Sequence, residues 1–234
     1  VTAQHRQMLD QVLDLFAITP DYDLDLMRPN QSLAEITAAI FTHLDPIIDE
    51  WQPDWILAQG DTTTVMVTAL LAYYHQVRFG HVEAGLRSGD KWQPFPEEIN
   101  RKVATLAADL HFAPTEWSRQ NLIREWVPPE KILVTGNPVI DALHEAARQP
   151  ETPQVEILLR HMDIGDHASE KQLVLVTAHR RENFGQPLLD ICAALRTLAA
   201  HYANSIHFLW PVHLNPHVQE PVYQLLSGID HVTL

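Results

Sequence analysis

QGDTTT at 59–64, HVEAGLRSGD at 81–90 and PFPEEINR at 94–101 are the three blocks whose reading decides the fold. The apolar run Trp55-Ile56-Leu57-Ala58 stops at Gly60-Asp61, and an apolar stretch with a helix-like pattern follows at once, from Val65 to Tyr74. That profile predicts a buried strand turning directly into a helix, with Asp61 and three threonines at the junction. Arg78–Val82 reads as a second, short strand, and Glu83 comes immediately after it. Pro94 and Pro96 pre-set the backbone for a helix opening on Glu97 and Glu98. Open α/β sheets bind ligands beyond the carboxyl ends of their strands, so Asp61 and Glu83 are expected to face one crevice.

Upstream, Val1–Ala3 reads as the tail of a strand, Gln7–Phe16 has helical spacing, and Tyr22–Met27 alternates like a half-exposed strand. Ser32 with Glu35 forms a capping box for a helix reaching about Trp51. Downstream, strands at 54–59, 78–82, 110–113 and 132–135 alternate with helices at 62–76, 96–108, 115–126 and 138–148. Two prolines and a polar run at 149–154 mark a domain boundary, with Glu156–Met162 as a linker helix. A second series follows: strand 173–176, helix 187–202, strand 206–210, a helix reaching Leu226, and a strand at 231–234. Strict alternation in two series predicts an α/β protein with two Rossmann-like, doubly wound parallel-sheet domains. They fall at 1–150 and 171–234, joined by a linker over 151–170.

Composition narrows the function. The 234 residues are 46% apolar, ample for a core. Sixteen Lys and Arg against thirty Asp and Glu leave a net charge of −14, which argues against nucleic acid or an anionic membrane as partner. A single cysteine, Cys192, permits no internal disulfide and fits a reducing, cytoplasmic compartment. No run reaches membrane-spanning length, and no signal peptide is expected. There is no GxGxxG, Walker A, GxSxG or HExxH pattern, so neither a cofactor nor a metal is expected.

Five expected strands end in a small or polar cluster: Gly60-Asp61, Glu83, Gly136-Asn137, His179-Arg180 and His213-Asn215. Five such clusters from two series suggest a cleft for a ligand with a phosphate-bearing half and a reacting half. Each residue also has a plain structural reading. Asp61 reads equally as a cap for helix 62–76, and Thr62–Thr64 as helix-start residues or as donors to an anion. Glu97 stands four residues before Arg101, the spacing of a surface ion pair. Glu83, between Val82 and Ala84 at the end of a buried strand, needs a partner or a chemical role. His179 with two arginines suits a diphosphate, or is an exposed basic loop, and His213 beside Asn215 reads also as a turn cap.

AQHRQMLDQVL at 3–13, the three opening blocks, TGNPVIDAL at 135–143, TAHRREN at 177–183 and PVHLNP at 211–216 together resemble the non-hydrolysing UDP-N-acetylglucosamine 2-epimerases of bacteria. The resemblance implies a GT-B fold with its active site between two domains, a homodimer, and a role in making cell-surface polysaccharide precursors. It implies reversible inversion at C2 of the sugar, giving UDP-N-acetylmannosamine by elimination of UDP to a 2-acetamidoglucal and re-addition. The family's catalytic groups fall on Asp61, Glu83, Glu97 and His179, and substrate contacts on Thr62, Arg180, His213 and Asn215. UDP-N-acetylglucosamine is also an allosteric activator in bacterial members, at positions matching Gln4, Gln7, Arg180 and His213.

The family's GTRPE-type loop and its DSGGxQEE loop are both missing from these residues. The expectation is therefore an internal stretch, with both domains incomplete and little activity of its own. Other readings stay open on the residues: a GT-B glycosyltransferase, a hydrolysing epimerase, or a non-catalytic UDP-sugar-binding module.

Overall fold

An apolar helix needs cover on every side, and the helix after Asp61 finds it between a second helix and a parallel sheet. In the computed structural model, which describes residues 1–2, 6–26, 28, 31–164, 171–180 and 183–234, the side chains of Gln7 and Met8 lie outside the description. The chain divides into two units, Val1–Arg148 and Gln149–Leu234.

In the first unit the strands β1 (Trp55–Gln59), β2 (Arg78–Val82), β3 (Leu110–Ala113) and β4 (Ile132–Val134) form one sheet in that order, every pair parallel. The helices are α1 (Arg6–Leu15), α2 (Leu33–Trp51), α3 (Thr63–Tyr74), α4 (Glu97–Ala107), α5 (Glu116–Arg124) and α6 (Pro138–Arg148). α3 turns Val67 and Leu71 toward Ile36, Ile40 and Ile48 of α2, and Val65, Ala69 and Ala72 toward Phe79 of β2 and Ala104 of α4. Two apolar stripes on one helix explain its lack of a polar face. The expected capping box holds α2: the Glu35 amide donates to Ser32 Oγ at 3.2 Å and the Ser32 amide to Glu35 Oε2 at 2.7 Å.

Two expectations need correction. Among the described residues β1 is buried on one face only: Leu57 is 62% and Trp55 36% exposed. Among the described residues β1 is the sheet's edge, and its period of two puts Trp55 and Leu57 opposite the Ile56 and Ala58 face that α3 covers. Residues 22–26 form no assigned strand, and Met27 lies outside the description. Their alternation is nevertheless real. The Leu24 and Leu26 amides donate to the Val1 and Thr2 carbonyls at 2.9 and 3.0 Å, and Leu26 is buried.

The second unit holds α7 (Pro153–His161), β5 (Gln172–Leu175), α8 (Gln186–His201), β6 (Ile206–Leu209), α9 (Pro216–Leu226) and β7 (Val232–Thr233), with β5-β6-β7 parallel in that order. Leu188, Cys192 and Leu195 of α8, Phe208 and Trp210 at β6, and Val218, Val222 and Leu226 of α9 make its core. Among the described residues, no helix is long and apolar enough to cross a membrane.

Candidate active site

Where β1 ends, the Gly60 amide still donates to the Val82 carbonyl at 3.0 Å, one residue beyond the ladder. Gly60 then turns at φ +88°, a region that an L side chain rarely adopts. The cap of α3 is Thr62, whose hydroxyl accepts from the Val65 amide at 3.4 Å. Asp61 is thereby left out of helix capping, and three groups hold it. Arg101 donates to its Oδ2 from Nε at 3.0 Å and Nη2 at 2.6 Å. Buried Asn100 donates to its backbone carbonyl at 2.9 Å. The preceding carbonyl, of Gly60, meets Nε2 of His81 at 2.8 Å.

The helical spacing of Glu97 and Arg101 suggested an ion pair, and the structure replaces it. Arg101 spans Asp61 and Glu98 instead, reaching Glu98 Oε2 with Nη1 at 3.1 Å. Glu98 is fully buried, so it requires a cation and donors that a surface carboxylate does without. It receives the Ser88 amide at 3.1 Å and the Gly89 amide at 3.4 Å. Burial pushes its carboxyl up, while the Ser88 and Gly89 amides and Arg101 outweigh that and hold it below the usual carboxylate range. Glu97, one residue earlier, keeps an Oε2 that is shielded from solvent and has no hydrogen-bond partner. It lies three and four residues before Asn100 and Arg101, hence on the helix face that binds Asp61.

Glu83 sits at φ +65°, a left-handed conformation in a residue with a full side chain. Such a backbone costs on the order of 1–2 kcal/mol and persists only where its surroundings enforce it. They do so here. The Ala84 amide donates to the Phe112 carbonyl at 3.0 Å, and Asn121 Nδ2 donates to the Gly85 carbonyl at 3.0 Å. Gly85 presses so close to α5 that a Cβ would lie 2.3 Å from the Ser118 carbonyl oxygen. The Glu83 carboxylate accepts from Asn137 Nδ2 at 2.8 Å, and its other oxygen lies 3.7 Å from where a Cβ on Gly60 would stand. Glu83, at the end of β2, thus reaches the Gly60 turn that precedes Asp61 at the end of the neighbouring β1.

In the second unit, the ends of β5 and β6 bring the His179 and His213 rings together, stacked at 5.2 Å. The Asn215 amide donates to His213 Nδ1 at 3.1 Å, which leaves the ring proton on Nε2. Asn215 also caps α9, its side chain accepting from the His217 amide at 2.9 Å. His179 and Arg180 are exposed. Of the four positions matched to the second nucleotide-sugar site, Gln4 and the Gln7 side chain lie outside the described residues. Among the described residues no cluster of His, Cys, Asp and Glu is arranged for a metal.

Sequence reasoning missed His81, Asn100 and Glu98 as parts of this arrangement, and met Asn137 as one of five polar strand ends without pairing it with Glu83. The signal was faint: Asn100 and Arg101 share a helix face with Glu97, but nothing in one sequence says that Asp61 is across from them.

The family model described as UDP-N-acetylglucosamine 2-epimerase matches residues 1–234. A UDP-N-acetylglucosamine 2-epimerase of Yersinia pestis is 52% identical over 236 residues, covering 100% of this chain and 62% of that protein. The crystal structure of UDP-GlcNAc 2-epimerase from Neisseria meningitidis bound to UDP-GlcNAc superposes with a TM-score of 0.90 at 43% identity, over 100% of this chain and 62% of that one. The Methanocaldococcus jannaschii UDP-GlcNAc 2-epimerase in complex with UDP-GlcNAc and UDP gives 0.77 at 26% identity, over 99% and 63%. The chain therefore spans about three fifths of the length of these relatives.

Proposed function

The chain belongs to the UDP-N-acetylglucosamine 2-epimerase family, and we propose that its protein interconverts UDP-N-acetylglucosamine and UDP-N-acetylmannosamine. One observation carries this reading: Asp61 on the turn after β1, Glu83 beside Gly60, and Glu97 one helical turn before the Asn100 and Arg101 that hold Asp61 are three carboxylates from three segments in three different environments. Asp61 is ion-paired to Arg101, Glu83 is hydrogen-bonded to Asn137, and Glu97 has a shielded oxygen without a partner. Separately held carboxylates are what proton removal from one face of C2 and delivery to the other require.

A carboxylate takes the C2 proton as the C1–O bond to the diphosphate breaks, leaving a 2-acetamidoglucal and UDP. Reprotonation at C2 from the opposite face, with return of the diphosphate oxygen to C1, completes the inversion. His179 and Arg180 stabilise the charge on the departing diphosphate, with Thr62, His213 and Asn215 among the substrate contacts. The reading assigns the carboxylate chemistry to a domain over 1–150 and the diphosphate loop to a second domain beginning at about 171, with 151–170 between them. It includes the same nucleotide sugar as an activator at Gln4, Gln7, Arg180 and His213, a homodimer, and a cytoplasmic place in polysaccharide precursor synthesis.

The test is incubation of the complete protein with UDP-N-acetylglucosamine in deuterated water. Deuterium at C2 in both nucleotide sugars supports the epimerase. Free N-acetylmannosamine with UDP would mean a hydrolysing enzyme, and sugar transfer without exchange a glycosyltransferase. Binding without any turnover would sink the catalytic reading.

A further inference from the structure

We infer that His81 is a positioning residue for Asp61, acting through the Gly60–Asp61 peptide; the catalytic consequence rests on the epimerase reading above. The His81 ring is fully buried, packed near Phe79 at a centroid distance of 6.3 Å, and paired in register with buried His111 on β3. It makes one polar contact, Nε2 to the Gly60 carbonyl at 2.8 Å, while its Nδ1 is shielded and has no partner. A carbonyl can only accept, so the proton is on Nε2 and Nδ1 is a bare acceptor. Leaving an acceptor unpaired in the interior is unfavourable, and a phenyl or isobutyl group would avoid it. The one service an apolar side chain cannot supply is the bond to Gly60.

That bond falls where the backbone is least able to hold itself. Gly60 is at φ +88° and has no Cβ, so sterics alone leave its peptide free to rotate. His81 fixes the carbonyl before Asp61, Asn100 fixes the carbonyl of Asp61 itself, and Arg101 fixes the carboxylate. Both peptide planes flanking Asp61 are therefore set from outside the turn. Gly60, which carries this peptide, also stands beside Glu83, whose Oε2 lies 3.7 Å from the Cβ position of Gly60. Rotation of this one peptide would change the relation between the two carboxylates.

The experiment compares His81→Gln, His81→Asn and His81→Leu in the complete protein, each checked for folding by thermal melting. A glutamine amide reaches the place of Nε2, whereas an asparagine amide reaches that of Nδ1. His81→Asn and His81→Leu should lose about a hundredfold in kcat, the scale of a small misplacement, with KM little changed. His81→Gln should recover most of that loss. Equal kcat in all three variants and the parent, or equal loss in all three, would overturn the assignment. If His81→Leu does not fold, the Gln and Asn pair decides alone. If the parent shows no C2 exchange, it is the epimerase reading that fails. Positioning is then read from the ring and the turn. Nitrogen NMR at about pH 7.5 should find neutral His81 protonated on Nε2, and a crystal structure of His81→Asn should show the Gly60–Asp61 peptide turned. A proton on Nδ1, or an unmoved peptide, would overturn it.

Discussion

Two nitrogens of Arg101 meet one oxygen of Asp61, at 3.0 and 2.6 Å, while a third reaches the buried Glu98 at 3.1 Å. The guanidinium thus links the end of β1 to the first turns of α4 and, through Glu98, to the Ser88–Gly89 loop. Replacing it by alanine leaves Glu98 buried without its cation. Arg101→Ala should lower stability by about 3 kcal/mol, and Arg101→Lys by less, since charge returns without the planar fork. Urea midpoints of the complete protein check this, and an alanine variant as stable as the parent would deny Arg101 its bridging role.

Glu97 and Glu98 are adjacent in sequence and should respond oppositely. Glu97→Gln removes a partnerless carboxylate oxygen, so turnover should fall by about two to four decades while stability moves by less than about 0.5 kcal/mol. Glu98→Gln turns an amide toward backbone donors and away from a cation, so it should cost stability first, on the order of 2 kcal/mol. Parallel denaturation and C2-exchange measurements on the two variants separate these roles.

The backbone of Glu83 gives a prediction independent of turnover. At φ +65°, glycine is the relaxed residue, so Glu83→Gly should be more stable than Glu83→Ala by about 1–2 kcal/mol. Within a regular element the order would be reversed. Both variants, like Glu83→Gln, should lose C2 exchange. Denaturation of the Gly and Ala pair is the check, and an alanine variant of equal or greater stability would contradict the strain.

Acid should weaken the first unit through His111 as well as through its carboxylates. Burial lowers the His111 pKa from 6.5 to about 4, and neighbouring His81 adds to the effect. Between those values the unfolded chain takes up a proton that the folded chain refuses. Stability is therefore lost as pH falls from about 6.5 toward about 4, by on the order of 3 kcal/mol in all. His111→Phe should flatten that part of the pH–stability curve, as urea titrations at several pH values would report. An unchanged slope would mean that His111 takes up its proton equally in the folded and the unfolded chain.

For the second unit, His179→Ala should slow elimination of UDP more than it weakens substrate binding, because the charge it meets develops as the diphosphate leaves. Single-turnover rates alongside binding calorimetry measure the two effects; a pure loss of affinity would remove the role. Arg180→Ala should change the shape of the dependence of rate on substrate, and identical curves for variant and parent would remove the activator site.

Local chemistry made most of the fold legible. Strand β2, strand β3 and helix α6 lie where their apolar patterns put them, and Ser32 and Glu35 cap α2 as their spacing predicts. Such signals need only neighbours in sequence, because capping, periodicity and turn preference act within a few residues. β1 shows where that reasoning ends. Its apolar run read as buried, yet burial depends on whether another layer lies over each face, and among the described residues none lies over Leu57.

The site divides in the same way. Asp61, Glu83 and Glu97 were visible as acidic residues at the ends of strands and at a helix start, since α/β topology sends strand ends to one edge. Their differences were not visible. Asp61 joins Arg101 forty residues away, and Glu83 joins Asn137 fifty-four residues away. Spacing along α4 suggested Glu97 for Arg101, but the tertiary structure offered two carboxylates with a stronger claim, one of them buried. The sequence by itself determined which residues carry charge and where the chain turns. Only the tertiary structure decided which carboxylate is clamped, which is strained and which is left without a partner, because desolvation and hydrogen bonding depend on segments that meet only when the sheet has formed.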